Sequence, residues 1–290
     1  MQNYCYICNF KIRNYNFLRN LVKHLYITVF FVLTVGVVAA QNPDTLICRY
    51  QSVRSVGFGF PAVNYSLLSP LNHSGYSLGF HSVRFREMPE HLTQFQMRSE
   101  IGILYNDAND SYITLLGFSG GFSRHWQVSE PKQRLQLLFG GSADVGVNVY
   151  MKEDNTNNPL AYFFNLSVSP NILFKYDFKV QKSRFGFGLQ LGIPLVSLVS
   201  TSDYSSTLPP AVIEPEANFF DAIRLASLGS LRKYVAITTL DITSLSERHH
   251  KMPVIRITYL FSGMNYRFDD FVVKSVNHQI LFGTIFHLFQ

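Results

Sequence analysis

From residue 41 onward, apolar and polar side chains alternate with a period of two far more often than with the 3.6-residue period of a helix. The longest run is 162–178. Tyr162, Phe164, Leu166, Val168, Pro170, Ile172, Phe174, Tyr176 and Phe178 hold one face, and Asn165, Ser167, Ser169, Asn171, Lys175 and Asp177 the other. Residues 134–151 repeat it, with Leu135, Leu137, Phe139, Val145, Val147 and Val149 against Arg134, Gln136, Ser142, Asp144 and Asn148. Residues 183–195 set Phe185, Phe187, Leu189, Leu191 and Ile193 against Arg184, Gln190 and glycines. Weaker alternation over 48–60, 75–87, 93–105, 112–128, 234–243, 255–264 and 280–289 brings the predicted strands to ten, and a different division of the ends gives eight or twelve. Between Phe80 and Val83 the phase slips, which predicts a β-bulge.

These strands exceed the usual length of about 5–6 residues and reach the roughly 9–11 that cross a bilayer at a tilt. The connections alternate in length. Residues 88–90, 129–133, 179–182 and 246–251 are short, while 61–74, 152–159, 196–230 and 265–278 are longer, with 106–110 the exception. An even number of antiparallel strands, with turns at one end and loops at the other, predicts an all-β fold: a transmembrane antiparallel up-and-down β-barrel of about ten strands. A periplasmic β-sandwich also alternates. The apolar faces, uncharged over eight or nine successive positions in the longest strands, suit hydrocarbon instead. The opposite faces hold Gly, Ser, Asn and Gln with isolated charges, which suits a wet lumen. Without water to satisfy backbone donors, such a sheet must close on itself. Tyr112, Trp126, Tyr162 and Tyr176, near strand ends, fit interfacial girdles.

Composition agrees. Charged residues make up 15% of the chain and aromatic residues 15%, against about 25% charged in ordinary soluble domains. No apolar run of the ~18 residues needed for a helical span occurs beyond residue 40. Of the 25 basic residues, Lys11, Arg13, Arg19 and Lys23 lie in the first forty positions, which hold no acid. Residues 41–290 therefore carry 21 basic against 19 acidic side chains, too even a balance for a nucleic-acid partner. Residues 25–38 are apolar, follow Lys23 and His24, and lead to Val38-Ala39-Ala40 before Gln41, the pattern of a secretory signal peptide over 1–40. The stretch 1–20 is longer than a normal n-region, as a start codon placed too early would make it. Cys5 and Cys8 fall in this leader and Cys48 stands alone after it, so neither a disulfide nor a cysteine metal site is expected.

With Ala39-Ala40 before Gln41, the segment Leu68-Ser69-Pro70-Leu71-Asn72-His73-Ser74-Gly75, and a final strand carrying Gly283, Phe286 and Leu288, the chain resembles the uncharacterised outer-membrane β-barrel proteins of Bacteroidetes-type bacteria. It departs from their assembly signal in ending Phe289-Gln290 rather than on an aromatic residue. The resemblance implies the cell outer membrane as location, with outer-membrane lipid and the barrel-assembly machinery as partners. It brings no activity and no cofactor.

The informative polar residues are the charges on the predicted inner faces: Arg98, Glu100, Asp144, Lys175, Arg184, Asp241 and Arg256. Both signs in a narrow lumen pair with one another, fixing strand register or lining a pore or ligand pocket. The first reading is thus a non-enzymatic barrel that binds or passes small solutes or serves a structural or assembly role. The alternative is a rim-site hydrolase, either a protease or a lipid hydrolase. His73 and His278, with Asp107, Asp203, Glu214, Glu216, Asp221, Asp269 and Asp270, are the loop candidates for the protease. Ser123 and His125 share a face, but it is the lumen face, whereas a lipid hydrolase needs them near lipid. No metal site is expected. His249 and His250 are adjacent and diverge, and 106–110 lacks the Gly and distal Glu of a calcium loop. Within the long segment 196–230, residues 216–228 predict a helix after Pro215, ending at Gly229, with Phe219, Phe220 and Ile223 in its apolar stripe. A segment of this length is expected to fold over or into the barrel mouth, as a lid or as a surface for a periplasmic or surface protein.

Overall fold

The computed structural model describes residues 49–66, 68–88, 90–106, 108, 110–129, 134–152, 160–181, 183–202, 223–244, 254–268 and 271–289. The elements among them are all strands: β1 (Arg49–Tyr65), β2 (Ser69–Glu87), β3 (His91–Asn106), β4 (Ser111–Gln127), β5 (Leu135–Met151), β6 (Leu160–Val180), β7 (Ser183–Gly192), β8 (Val196–Thr201), β9 (Arg224–Ser227), β10 (Leu231–Ser244), β11 (Val254–Phe268) and β12 (Phe271–Phe289). β1 to β7 pair antiparallel in sequence, β7 pairs with β10, and β10, β11 and β12 follow. β12 then pairs with β1 along its whole length, closing a ring of ten strands.

The ring closes with a stagger. From Asn148 of β5 the register runs through Gly117, Glu100, Gly79, Gly57, Leu281, Thr258, Thr239, Gly188 and Lys175, and returns to β5 at Gln136, a shear of 12 residues. With normal strand spacing and rise, ten strands and this shear give a tilt of about 40°. Both described ends of the chain, and the strand ends joined through 88–90, 128–134, 181–182 and 245–253, lie at one end of the barrel (the turn end); the strand ends joined through 66–68, 107–110, 152–159, 202–223 and 269–270 lie at the other (the loop end).

The alternation read from the sequence holds on the wall. Val56, Phe58, Phe60, Ile101, Phe122, Phe139, Val168 and Phe282 are exposed on the outside, and Tyr112, Trp126, Tyr162 and Tyr176 face outward near strand ends. Along β1 the apolar belt is bounded by Arg54 and Asn64, ten residues apart. At that tilt their separation along the barrel axis is about 25 Å, the height of the apolar band of a membrane barrel.

Several expectations are corrected. The segments 61–74 and 265–278 are mostly strand rather than loop: β1 and β2 turn at 66–68, where Leu68 N donates to Tyr65 O (3.0 Å), and β11 and β12 turn between Phe268 and Phe271. Above the belt the outward positions become polar, as at Asn64 and Lys274, so the apolar signal disappears while the backbone ladder continues. No bulge lies between Phe80 and Val83; the β1–β2 register runs unbroken from Val56↔Phe80 to Val53↔Val83. Val83 is an apolar residue on the inner face, packed with Val53, Val254 and Ile285.

The segment 196–230 is also not one loop. Register changes from Asn171↔Gly192 to Val168↔Val196, so β8 takes over from β7 beside β6 after a one-residue bulge at 193–195. Pro194 lies in that bulge and has no N–H to give to a ladder. β9 pairs with β8 over Arg224–Ser227, where the sequence predicts the last turn of a helix. Cross-strand pairing with β8 overrides the local helical pattern there. Ile223 is half-buried just before β9. The leader, Cys5, Cys8, Cys48, Phe219, Phe220, His249, His250, and the carboxylates Asp107, Asp203, Glu214, Glu216, Asp221, Asp269 and Asp270 lie outside the described residues.

Candidate functional site

The inner wall is built in three levels. At the loop end fifteen buried apolar residues meet across the lumen, drawn from β1, β3, β4, β5, β6, β8, β9, β10, β11 and β12 with Leu68 of the first turn. Two aromatic pairs bridge the barrel: Tyr65 of β1 against Tyr150 of β5 (ring centroids 5.3 Å), and Phe163 of β6 against Tyr266 of β11 (5.6 Å). The Tyr65 hydroxyl donates to Tyr162 O (2.8 Å) and bonds the Thr201 hydroxyl, tying β1 to β6 and β8. Tyr65, Phe163 and Tyr266 are at most 1% exposed. This level is a plug made of strand residues, where the sequence predicts loops over a wet lumen. Seven of the fifteen, among them Val63, Tyr65, Tyr266 and Val273, lie in the segments read as loops.

Below the plug is a polar cavity of 160 Å³, lined by Arg98, Glu100, Asp144, Lys233, Asn148, Asn165, Asn171 and Asn277 among others. Glu100 accepts two bonds from Asn277 Nδ2 (2.8 and 2.7 Å) and one from the Ser77 hydroxyl (2.5 Å). Asp144 accepts from the Ser142 hydroxyl (2.5 Å) and from Gln96 Nε2 (3.4 Å), and Gln96 Oε1 accepts from Arg98 Nη2 (2.8 Å). Arg98 and Asp144 are thus linked through one amide without coming into contact, and Arg98 Nε has no partner among the described residues. Lys233 reaches the same cavity from β10, and its side chain makes no hydrogen bond or ion pair with the described residues. Neutral groups thus bond Arg98, Asp144 and Glu100, and Lys233 adds a second cation to the same cavity.

The third level is a vestibule of 760 Å³ at the turn end, sharing Gln190 and Ile237 with the cavity above it. Its walls combine Val53, Val83, Leu92 and Leu173 with three ion pairs. Arg256 binds Asp241 through two bonds, Nε–Oδ1 and Nη2–Oδ2, both 2.6 Å, with its guanidinium over the Phe85 ring (5.2 Å). Lys175 bonds Glu87 at 3.1 Å and Arg184 bonds Asp177 at 2.6 Å. The Arg184 and Asp177 side chains are about half exposed, so this level is open to solvent.

All seven charges predicted to face inward do so: Arg98, Glu100 and Asp144 at the cavity, and Lys175, Arg184, Asp241 and Arg256 in the vestibule. The structure brings together only one pair within that set, Asp241 with Arg256. The sequence reading missed Lys233, because alternation in that strand becomes visible only from Tyr234. It missed Glu87 and Asp177 as partners, because both join strands distant in the chain order or sit beside a turn.

The hydrolase candidates do not assemble among the described residues. His73 is fully buried on the inner face, with Nε2 3.0 Å from the Ser111 hydroxyl and Nδ1 3.2 Å from Leu71 O. His278 faces outward on β12, 2.7 Å from the Tyr259 hydroxyl. They stand on opposite sides of the wall. Ser123 and His125 do share the lumen face, but the Ser123 hydroxyl donates to Gln94 Oε1 (3.4 Å).

Among solved structures, the outer-membrane protease OmpT of Escherichia coli is similar at 8% identity and TM-score 0.47, over 86% of this chain and 99% of its own. The translocator domain of the autotransporter NalP from Neisseria meningitidis is similar at 8% and 0.42, over 93% and 98%. The toluene transporter TodX of P. putida is similar at 8% and 0.29, over 86% and 91%. No curated protein sequence matches the chain. One family model does, over residues 25–290, and by that match the chain belongs to the family described as protein of unknown function, DUF3316.

Proposed function

We propose that this protein is a non-conducting outer-membrane barrel that holds a small polar solute in its mid-barrel cavity and admits it from the turn end. The plug carries this reading. A barrel whose loop-end lumen is filled by buried Tyr, Phe, Leu and Val side chains has no water path through that end, whereas its other end is a wide, partly charged vestibule. Membrane residence is supported by the apolar outer belt about 25 Å high and by the closed ladder, which leaves no sheet edge in hydrocarbon. In the arrangement usual for such barrels, short turns and termini face the periplasm, so the solute comes from the periplasmic side. The barrel-assembly machinery is the partner expected for insertion.

The inner charges divide their work. The vestibule pairs hold register across β6–β7, β10–β11 and the β2–β6 diameter, and Arg98, Lys233, Asp144 and Glu100 select the solute. Conductance across a planar bilayer tests the reading. The protein is expected to insert and stay silent; discrete, stable channels from the unmodified protein would refute a plugged barrel.

A further inference from the structure

One row of polar side chains takes no part in the lumen site. On the outer wall at the loop end, Arg232 of β10 stands opposite Asn265 of β11, Asn265 opposite Lys274 of β12, and Lys274 opposite Asn64 of β1. Asn64 Nδ2 donates to Asn72 Oδ1 (2.9 Å), which carries the row on to β2. At a strand spacing of about 4.8 Å the row is a shelf about 20 Å long. Arg232, Asn265 and Lys274 are exposed, and neither cation makes a side-chain hydrogen bond or ion pair with the described residues. Among those residues no outward-facing strand position is acidic; Glu87, Glu100, Asp144, Asp177 and Asp241 all face the lumen.

What lies beneath the shelf is as specific. The next outward positions are Tyr234, Gly263, Val276 and Ala62, with a Tyr234 ring carbon 3.6 Å from where a Gly263 Cβ would stand. Below these, Phe261 and His278 (ring centroids 5.1 Å) and Phe60 and Tyr76 (5.7 Å) form an aromatic row. Between the shelf and the aromatics, Gly263 is buried beneath the Phe261 and Tyr234 rings, 3.5 and 3.6 Å from where its Cβ would stand. A guanidinium, an ammonium and amide groups, with no carboxylate at the outward strand positions among the described residues, offer many donors to one anion with several acceptor oxygens. The rings below offer an apolar surface for the chains attached to that anion. At the turn end two outward arginines are engaged within the protein: Arg124 bonds His91 Nε2 (3.3 Å) and covers Trp126, and Arg86 covers Tyr50.

We infer that the Arg232–Lys274 shelf binds the phosphate headgroup of an anionic membrane lipid in the leaflet at the loop end. The inference rests on the membrane-spanning reading above, since the shelf meets headgroups only if the belt is in hydrocarbon. The protein, expressed from its full sequence and purified from membranes, is first floated with phosphatidylcholine vesicles; failure to float overturns the membrane reading itself. Detergent-solubilised protein is then titrated with phosphatidylglycerol or phosphatidylcholine and the adducts counted by native mass spectrometry. Phosphatidylglycerol is expected to bind more tightly, and each of Arg232→Gln and Lys274→Gln to weaken it about five-fold, about thirty-fold together. Arg54→Gln, which removes a cation from the same wall at the turn end, leaves it unchanged. Raising the salt weakens binding to the unmodified protein, a readout that needs no variant. Equal affinity for both lipids, salt-independent binding, or a double variant that binds as tightly as the parent overturns the shelf.

Discussion

Removing the plug is the most direct test of the lumen. Tyr65→Ala with Tyr266→Ala takes one ring from each of the two aromatic pairs that bridge the barrel. Both side chains are 1% exposed, so each truncation costs about 3–5 kcal/mol if the space stays empty. The space has another fate here. Each lost ring leaves room for about three waters, at ~30 Å³ per water. The Tyr162 carbonyl keeps its bonds from the Thr201 hydroxyl (3.0 Å) and Ser202 N (3.2 Å), so loss of the Tyr65 hydroxyl strands no acceptor. The ladder closing β1 on β12 is untouched. The double variant is therefore expected to fold, with the heat-dependent gel mobility of a closed barrel, and to be measurably less stable to denaturant. In planar bilayers the parent is expected to be silent and the variant to open discrete steps. A folded variant as silent as the parent would show that the aromatic pairs do not seal the barrel, and the argument from the plug would fail with them.

Four further outcomes follow from named contacts. Asp241→Asn breaks a two-bond pair whose arginine side chain is 11% exposed, and is expected to cost about 2–4 kcal/mol in denaturant unfolding, somewhat under the range for fully buried pairs; Asp241→Leu with Arg256→Met is expected to recover most of it. Asp177→Asn, in a pair about half exposed, is expected to cost less than about 1 kcal/mol in the same assay. Gly57→Ala places a Cβ 1.9 Å from Ile280 O on the closing strand, so the folded, heat-shifted gel band is expected to be lost or strongly reduced. Trp126 is the chain's single tryptophan and is 51% exposed near the turn-end edge of the belt; lipids brominated near the headgroup should quench its fluorescence more than lipids brominated at the chain ends, and no quenching by either would argue against insertion.

Much of the wall was legible because a strand writes its two faces into the chain directly. A period of two assigns each side chain to lipid or lumen without knowledge of its neighbours, and Arg98, Glu100, Asp144, Lys175, Arg184, Asp241 and Arg256 all fall on the lumen side as the alternation says. Reading failed where that signal was cancelled. At 61–74 and 265–278 the outer face turns polar above the belt while the inner face turns apolar, so the pattern resembles a loop although pairing continues. At 216–228 a locally helical stripe gives way at its C-terminal end to β9, whose edge is supplied by β8. Val83 looked like a bulge because an apolar side chain on the lumen face breaks the rule, and only its packing against Val53, Val254 and Ile285 accounts for it.

The sequence by itself determined the strand faces, the charges that point inward and the family of folds able to satisfy them. Tertiary structure alone decided which of those charges meet and that buried side chains meet across the loop end of the lumen. Both depend on closure with a shear of 12 residues, which sets Tyr65 against Tyr150, Phe163 against Tyr266 and Lys175 against Glu87 across the barrel. An alternating pattern fixes which side of the wall a residue occupies. Its height, and its neighbour across the lumen, come from the stagger accumulated around the whole ring, which no single strand encodes.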